Sequence, residues 1–362
     1  IDTEEKLVSV DAVKRGTFDR QIPITVKDNF INAMNCNGNG LCFNYDADSP
    51  MCPSSKITKD RRHSPKGRAG LMREWLRLLE NKGVDVLSVE KNSSGWSVKQ
   101  LLEKIGAQFK KSNDDDFSHE VKEAMSGCLA CKACASQCPI KVDVPDFKAR
   151  FVQLYHTRYF RPINDHIVAN VENLAPIMAK APRLMNALID NPIYATISEK
   201  TIGYVDTPLL SVPTLQQRVR AAKFEVFDLE YFKTITQQQR QDYVLVVQDP
   251  FTSFYDAEVV EDLMLLARKL GKKPVLLPFK PNGKPQHVKG FLKQFAKTAK
   301  STADFLNELA NLDIAMIGID ASLALCYRDE YKQILGSGRG SFEVLLPHEW
   351  LTQQFNDKKI NL

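Results

Sequence analysis

The residues with the clearest chemical potential are four cysteines that lie close together and end in a proline. They form the run Cys128-Leu-Ala-Cys131-Lys-Ala-Cys134-Ala-Ser-Gln-Cys138-Pro139. The spacing C-x2-C-x2-C-x3-C-P is that of bacterial ligand runs for iron-sulfur clusters. In such runs three thiolates bind one cluster, while the fourth, after which the proline turns the chain away, binds a second one. The run therefore predicts an electron carrier with more cysteines elsewhere.

A second, less regular group of cysteines lies upstream. Cys36, Cys42 and Cys52 repeat the design, with Asn39 where another thiolate is expected and Pro53 after the last cysteine. Seven of the eight cysteines fall in these two groups, so we predict that they serve as cluster ligands. Zinc is the alternative, but zinc modules typically use two C-x2-C pairs with a longer spacer.

Two ligand arrangements are open. In two-cluster ferredoxins the Cys-Pro cysteine of each run binds the cluster of the other run. Applied here, a 4Fe-4S cluster is bound by Cys128, Cys131, Cys134 and Cys52. The second, incomplete site then contains Cys36, Cys42 and Cys138. The competing arrangement is one local cluster on the four cysteines of the 128–138 run, without Cys52. We favour cross-ligation because both runs end in Cys-Pro.

Asn39 restricts what the second site can bind. An amide is a poor iron ligand beside thiolate, so we expect a 3Fe-4S cluster, a 4Fe-4S cluster with an oxygen ligand at one iron, or no cluster. Asp46 and Asp48 are candidate substitutes.

Other residues near the ligands are candidates for tuning rather than for binding. Lys132, and the pair Lys66 and Arg68, would raise the potential of a cluster if they offset its charge; ordinary solvated side chains are the simpler interpretation. Pro53 and Pro139 redirect the chain beside the ligands.

Composition restricts the class of protein. The chain has 362 residues, 43% of them hydrophobic and 26% charged, with a net charge of +5, as in a globular protein. We expect no transmembrane segment, because no apolar run approaches about twenty residues. Basic residues come without a nucleic-acid motif, so we expect no nucleic-acid partner. Clustered thiols and the lack of an export signal after Ile1 predict a cytoplasmic protein, with peripheral contact to the inner membrane as a further expectation.

Periodicity divides the chain into four predicted segments. Residues 1–27 suggest a linker or edge segment continuing from an absent domain, and residues 28–160 a helical ferredoxin-like region with the iron-sulfur sites. Residues 161–240 suggest a helical connector interrupted by prolines, and residues 241–362 an α/β domain.

The elements behind this division are helices and short buried strands. Helical patterns begin at Ser64-Pro65 and close at Gly83, cover 101–109 and 117–125, and open again at Val144. Apolar runs at 243–247, 274–277, 314–319 and 342–346 alternate with helices, which predicts a doubly wound parallel sheet.

Residues 35–42, 49–54, 63–68 and 128–139 together resemble the iron-sulfur region of long bacterial FAD-linked D-2-hydroxyacid dehydrogenases, of the D-2-hydroxyglutarate and D-lactate type. The resemblance covers most of the chain. More distantly, the chain is similar to the iron-sulfur subunit of anaerobic glycerol-3-phosphate dehydrogenase; a subunit of that type, or one like heterodisulfide reductase, is the alternative function.

The resemblance implies a division of labour. FAD in an absent upstream domain of the same polypeptide would oxidise a D-2-hydroxyacid, and the clusters would pass electrons to an external acceptor, a quinone or a carrier protein. The chain has no Gly-rich dinucleotide fingerprint and no obvious flavin-binding segment, so we expect no catalytic residue in it.

In these relatives the α/β domain has two halves, each with a Cys-Cys-Gly-x-Pro motif. Here the segment Pro281-Asn282-Gly283-Lys284-Pro285 matches that frame with both cysteines replaced. The half-domain is therefore expected to be structural, with Cys326 as a buried cysteine. The resemblance also implies that a second half follows Leu362 in the full protein.

Overall fold

The computed structural model describes residues 17–92, 104–106, 117–203 and 205–356. It is mostly helical with one small parallel sheet. The chain divides into two compact units, Ile1–Phe160 and Arg161–Leu362. Within the described residues, no helix is both long and apolar enough to span a membrane.

The first unit consists of short helices around two longer ones. Its helices are α1 (Ile24–Asn29), α2 (Ile31–Met34), α3 (Pro53–Thr58), α4 (Pro65–Asn81), α5 (Val86–Asn92), α6 (Ser118–Ser126), α7 (Ala133–Gln137) and α8 (Val144–Arg158), with 3-10 turns at Thr17–Gln21 and Arg61–His63.

Helix α4 follows directly from local sequence signals. Ser64 caps its N-terminus by accepting the backbone N–H of Gly67 at 3.0 Å, and Pro65 occupies its first turn, where a missing N–H costs nothing. The helix ends at Asn81, two residues before Gly83, whose φ of 71° is easily adopted by glycine. This confirms the helix predicted between Ser64 and Gly83.

Aromatic packing joins α4 to α8 in the core of the first unit. The rings of Trp75 and Phe151 meet edge to face with centroids 4.9 Å apart, and the indole N–H of Trp75 donates to the hydroxyl of Ser118 at 3.0 Å. Such contacts add to the free energy gained by burying the rings. The predicted helices at 117–125 and from Val144 are confirmed as α6 and α8.

The described part of the first unit begins with helical turns. The alternating apolar residues near 22–26 suggested a linker or edge segment, and the edge alternative is wrong: Ile24–Asn29 is helical, with Ile22 and Val26 buried and Ile24 exposed. Residues four apart share a helix face, so the pattern also fits a helix. The helix predicted over 101–109 lies outside the described residues, apart from 104–106.

The second unit alternates helices and strands in its C-terminal half. Its helices are α9 (Ile163–Ala169), α10 (Val171–Met178), α11 (Pro182–Ile189), α12 (Pro192–Ile202), α13 (Leu215–Ala221), α14 (Leu229–Thr234), α15 (Gln237–Arg240), α16 (Pro250–Phe254), α17 (Ala257–Lys269), α18 (Lys284–Val288), α19 (Leu292–Ala310), α20 (Ala321–Arg328), α21 (Glu330–Leu335) and α22 (Pro347–Asn356), with a 3-10 turn at Gly336–Arg339. Its strands are β1 (Tyr243–Val247), β2 (Lys273–Leu276) and β3 (Met316–Gly318).

The three strands form a parallel sheet in the order β2-β1-β3. Alternate residues of β1 belong to different cores: Val244 and Val246 pack with residues of α13 and α17, whereas Leu245 and Val247 pack with residues of α19. Every residue of β1 is buried, because helices cover both faces of the sheet.

The strand predicted over 342–346 is not formed as a strand. Its backbone contributes one isolated parallel bridge, Ile317 to Leu345, in which Leu345 exchanges hydrogen bonds of 2.9 Å with the backbone of β3. Pro347, which begins α22, has no N–H for a longer ladder. The strand predicted over 314–319 is shortened to Met316–Gly318.

Candidate metal centre

The loop that contains Cys128 and Cys131 turns tightly because two of its residues have unusual backbone conformations. Ala130 and Lys132 have φ of 55° and 59°, in the left-handed region that side chains other than glycine rarely adopt. The loop connects α6 to α7, and Lys132 is the residue immediately before α7. These turns separate Cys128, Cys131 and Cys134, which lets the three thiols face one volume.

Cys52 occupies a similar position at the start of α3. Its φ is 38°, and Pro53 then opens the helix, so the chain turns sharply at the cysteine as predicted for a Cys-Pro pair. Its side chain is buried, and its thiol donates to the carbonyl oxygen of His63 at 3.5 Å.

One cavity brings these two runs together. Four cysteines line it: Cys52, Cys128, Cys131 and Cys134. Its wall also includes Pro53, Pro65, Arg68, Leu129, Lys132 and Val144. This thiol cavity contains the four residues assigned to the first cluster by cross-ligation. Cys138 is not among its lining residues.

The other cysteines lie in the same unit. Cys36 and Cys42 are buried, and the proximity of Cys36 and Cys52 contributes to raising the pKa of Cys42. Cys138 is partly buried against the core of the first unit and directly follows α7, just before Pro139. None of the eight cysteines forms a disulfide.

Asn39 has a structural role in its loop. Its side-chain oxygen accepts the backbone N–H of Leu41 at 3.0 Å, and its own N–H donates to the side chain of Asn37 at 3.1 Å. Asp46 likewise accepts the N–H of Asp48 at 3.1 Å. These are turn-stabilising hydrogen bonds of the type that Asn and Asp form with nearby backbone groups.

Burial raises the pKa of two of the thiols, Cys42 and Cys134. Burial raises the pKa of the Cys134 thiol to about 12, against the opposing effect of a hydrogen bond from the backbone of Val144. Burial also raises the pKa of Cys42, although the backbone N–H of Lys66 lies 3.3 Å from its sulfur. A bound metal must therefore displace these protons, which makes binding depend on pH.

The first turns of two long helices supply positive potential to the thiol cavity. Pro65 begins α4, and Val144 and Pro145 begin α8; all three line the cavity. A helix N-terminus carries partial positive charge and favours an anion. A cluster with four thiolate ligands has a net negative charge, so the surroundings suit it. Thiols, backbone donors to sulfur and mostly apolar walls together fit an iron-sulfur cluster.

Basic residues near the ligands have different surroundings. Lys132 pairs with Asp143 at 3.2 Å. The ammonium group of Lys66 donates to the carbonyl oxygen of Gly38 at 3.0 Å. Arg68 is buried and lines the cavity, with one guanidinium nitrogen 3.5 Å from the sulfur of Cys52.

Sequence reasoning missed part of the site. It did not identify Ser54, Leu129 or Val144 as neighbours of the ligands. The Ser64-Pro65 and Val144-Pro145 helix starts were visible in the sequence, but nothing local indicated that both face the cysteines.

Among the described residues no group of three or more His, Cys, Asp or Glu is close enough to hold a single metal ion.

The comparisons with known proteins first define a class. Residues 32–142 match the family model of the 4Fe-4S dicluster domain, which contains both cysteine groups. The chain therefore includes an iron-sulfur domain of this class.

The homologues of the chain narrow this class further, because they are D-2-hydroxyglutarate dehydrogenases. The chain is 58% identical to the enzyme of Escherichia coli (strain K12) over 98% of its own length, and 56% identical to that of Pantoea ananatis (strain AJ13355) over 100%. The enzyme of Pseudomonas putida is 42% identical over 97% of the chain. The chain spans only about 35% of these relatives' length, and corresponds to their C-terminal part. No solved structure matches the chain.

Proposed function

We propose that this chain is the electron-transfer part of an FAD-dependent D-2-hydroxyacid dehydrogenase, with D-2-hydroxyglutarate as the substrate of the whole protein. The observation that carries the proposal is the cavity in which Cys52 joins Cys128, Cys131 and Cys134. It lies within the segment that matches the dicluster family, in a chain similar to D-2-hydroxyglutarate dehydrogenases.

The ligand assignment is part of the proposal. Cys52, Cys128, Cys131 and Cys134 would hold a 4Fe-4S cluster, and their shared cavity supports this over a local cluster that includes Cys138. Cys36, Cys42 and Cys138 would hold the second cluster, 3Fe-4S or 4Fe-4S. The hydrogen bond from Leu41 to the Asn39 side-chain oxygen supports a second site without that residue as ligand.

The residues of the chain would control electron transfer through their packing and dipoles. Iron-sulfur clusters accept and release single electrons. The buried side chains of Val144 and Pro145 would limit water at one wall of the thiol cavity. Hydrogen bonds from the backbone to sulfur, as from Lys66 to Cys42, would stabilise the more negative, reduced state.

The proposed partners follow from the length of the relatives. About two thirds of each relative lies outside the aligned part, which leaves room for a flavin domain in the same polypeptide. That domain would bind FAD and oxidise the hydroxyacid, and the clusters would pass electrons to a quinone or a carrier protein. We further propose a cytoplasmic location with peripheral contact to the inner membrane.

We also propose a fold for each of three segments of the chain. Residues 28–160 would form a helical ferredoxin-like domain, residues 161–240 a connector, and residues 241–362 a doubly wound half-domain. Helices on both faces of the sheet in the second unit support the last assignment.

One experiment tests the division of labour. The purified 362-residue chain should contain iron and acid-labile sulfide, and dithionite should bleach its visible absorbance. It should not reduce a dye with D-2-hydroxyglutarate, whereas the full-length protein should. Turnover by the chain without a flavoprotein, or zinc in place of iron, would contradict the proposal.

A further inference from the structure

Arg68 is an unusual residue because its side chain is almost fully buried, with 1% exposed. It extends from α4 into the thiol cavity. Its Nε donates to the carbonyl oxygen of Ala124 at 2.7 Å, its Nη2 donates to the hydroxyl of Ser54 at 2.9 Å, and its Nη1 lies 3.5 Å from the sulfur of Cys52. One guanidinium thus joins the segment of Cys52 to the helix that precedes Cys128.

None of these acceptors is a carboxylate. Among the described residues Arg68 forms no ion pair with Asp or Glu, and its acceptors are a carbonyl, a hydroxyl and a thiol. A buried cation without a counter-charge is costly, and arginine stays protonated in proteins. The charge that would balance this guanidinium is therefore at the cysteine sulfurs.

Lys132 differs from Arg68 in having a carboxylate partner. It lines the same cavity, but its ammonium group lies 3.2 Å from the buried carboxylate of Asp143, which offsets its charge. Lys66 directs its ammonium group to the carbonyl oxygen of Gly38, in the loop of the other cysteine group. Arg68 instead places its Nη1 3.5 Å from the sulfur of Cys52.

The surrounding sequence leaves room for the guanidinium. A Cβ at Gly127 would lie 3.3 Å from the Nη2 of Arg68, 3.3 Å from the hydroxyl oxygen of Ser54 and 3.0 Å from the Nδ1 of His63. Glycine at this position, directly before Cys128, therefore permits the close approach of the arginine.

We propose that Arg68 is a positioning residue that holds Cys52 at the thiol cavity and raises the reduction potential of the cluster there. The inference rests on the proposed function. One-electron reduction of a bound cluster, by the proposed flavin or by dithionite, would add one negative charge beside this guanidinium. A fixed cation hydrogen-bonded to a ligand sulfur stabilises that reduced state more than the oxidised one.

The test is a redox titration of the full-length protein followed by electron paramagnetic resonance. Arg68→Gln should make reduction of this cluster at least tenfold less favourable, a shift of about 59 mV to lower potential. Arg68→Lys, which keeps the charge but not the three-way hydrogen bonding, should shift it less. Arg62→Gln is the matched control, because it removes the same charge from an exposed side chain paired with Asp60, and should change nothing.

The possible results distinguish the role of Arg68 from the proposed function of the chain. A loaded Arg68→Gln cluster with the wild-type potential would overturn the inference. If Arg68→Gln does not bind a cluster but Arg68→Lys does, the result supports a role for the positive charge at this position. If neither variant binds a cluster, the proposed effect on the reduction potential is overturned. Ser54→Ala should leave the potential unchanged, since it removes only a neutral acceptor. Wild-type protein without iron would instead refute the proposed function.

Discussion

The carboxylate of Glu172 accepts the backbone N–H of Asn282 at 2.7 Å. Its other oxygen accepts the N–H of Gly283, also at 2.7 Å. The carbonyl of Asn282 accepts the hydroxyl of Tyr331 at 2.7 Å, and its amide donates to the carbonyl of Leu323 at 3.2 Å. The segment that resembles a Cys-Cys-Gly motif without cysteines is thus held by a buried hydrogen-bond network. This supports the structural role expected for it.

Glu172 should make the stability of the second unit depend on pH. Burial raises the pKa of its carboxyl to about 7 from 4.5, outweighing the two N–H donors, and the nearby Asp249 adds to the rise. The folded state then binds more protons than the unfolded state between these pH values, so stability falls as pH rises from 4.5 to 7. The expected loss is on the order of 3 kcal/mol.

Hydrogen exchange of the buried amides of β1 measures this effect. Glu172→Gln should flatten the pH dependence. Glu349→Gln is the comparison, because Arg328 lowers the pKa of Glu349 to about 2, so its contribution changes only below pH 4.5. An unchanged slope in Glu172→Gln would show that another group is responsible.

Cross-ligation predicts opposite results for two cysteine variants. Cys52→Ala should abolish the 4Fe-4S cluster of the thiol cavity, because Cys52 lines it, whereas Cys138→Ala should spare that cluster. Iron content and electron paramagnetic resonance of each variant check this. Cys326→Ala, in the second unit, serves as the control for loss of a buried thiol. The reverse pattern, with the cluster lost in Cys138→Ala only, would establish a local cluster.

Asn39 should prove dispensable as a ligand. Its side-chain oxygen accepts the N–H of Leu41, so Asn39→Ala should loosen the turn but retain the iron of the second site. Cys42→Ala should lose that iron. Electron paramagnetic resonance of the wild type should show one ordinary 4Fe-4S cluster plus at most one incomplete cluster. Two ordinary all-cysteine 4Fe-4S clusters would contradict the expectation drawn from Asn39.

Substitution by alanine should have opposite effects on stability at Gly67 and at Gly70. A Cβ at Gly67 would lie 2.0 Å from the carbonyl oxygen of Arg61, so Gly67→Ala should destabilise the first unit by about 2 kcal/mol and disturb the start of α4. At Gly70 no atom lies within 4 Å, so Gly70→Ala should stabilise the helix by about 0.5–1 kcal/mol. Thermal unfolding followed by circular dichroism compares them. Equal effects of the two substitutions would disprove the packing at Gly67.

Local sequence signals were enough to predict the iron-sulfur chemistry and the helix that follows Ser64. The spacing of Cys128, Cys131 and Cys134 indicated an iron-sulfur site, because ligands this close in sequence bind one cluster. The helix after Ser64 was predictable because caps and apolar periodicity act within a few residues. The strand predicted over 342–346 failed because an apolar run does not show how far pairing extends: next to Pro347 it forms one bridge, from Leu345 to Ile317.

Contacts between residues far apart in the sequence could not be predicted without the folded structure. Cys52 shares a cavity with the 128–134 run, Arg68 reaches the sulfur of Cys52, and Glu172 reaches Asn282. Each of these contacts depends on how whole helices pack, through the side chains of their buried faces. Local spacing contains no information about such packing, so a buried arginine and a solvated one look the same in the sequence.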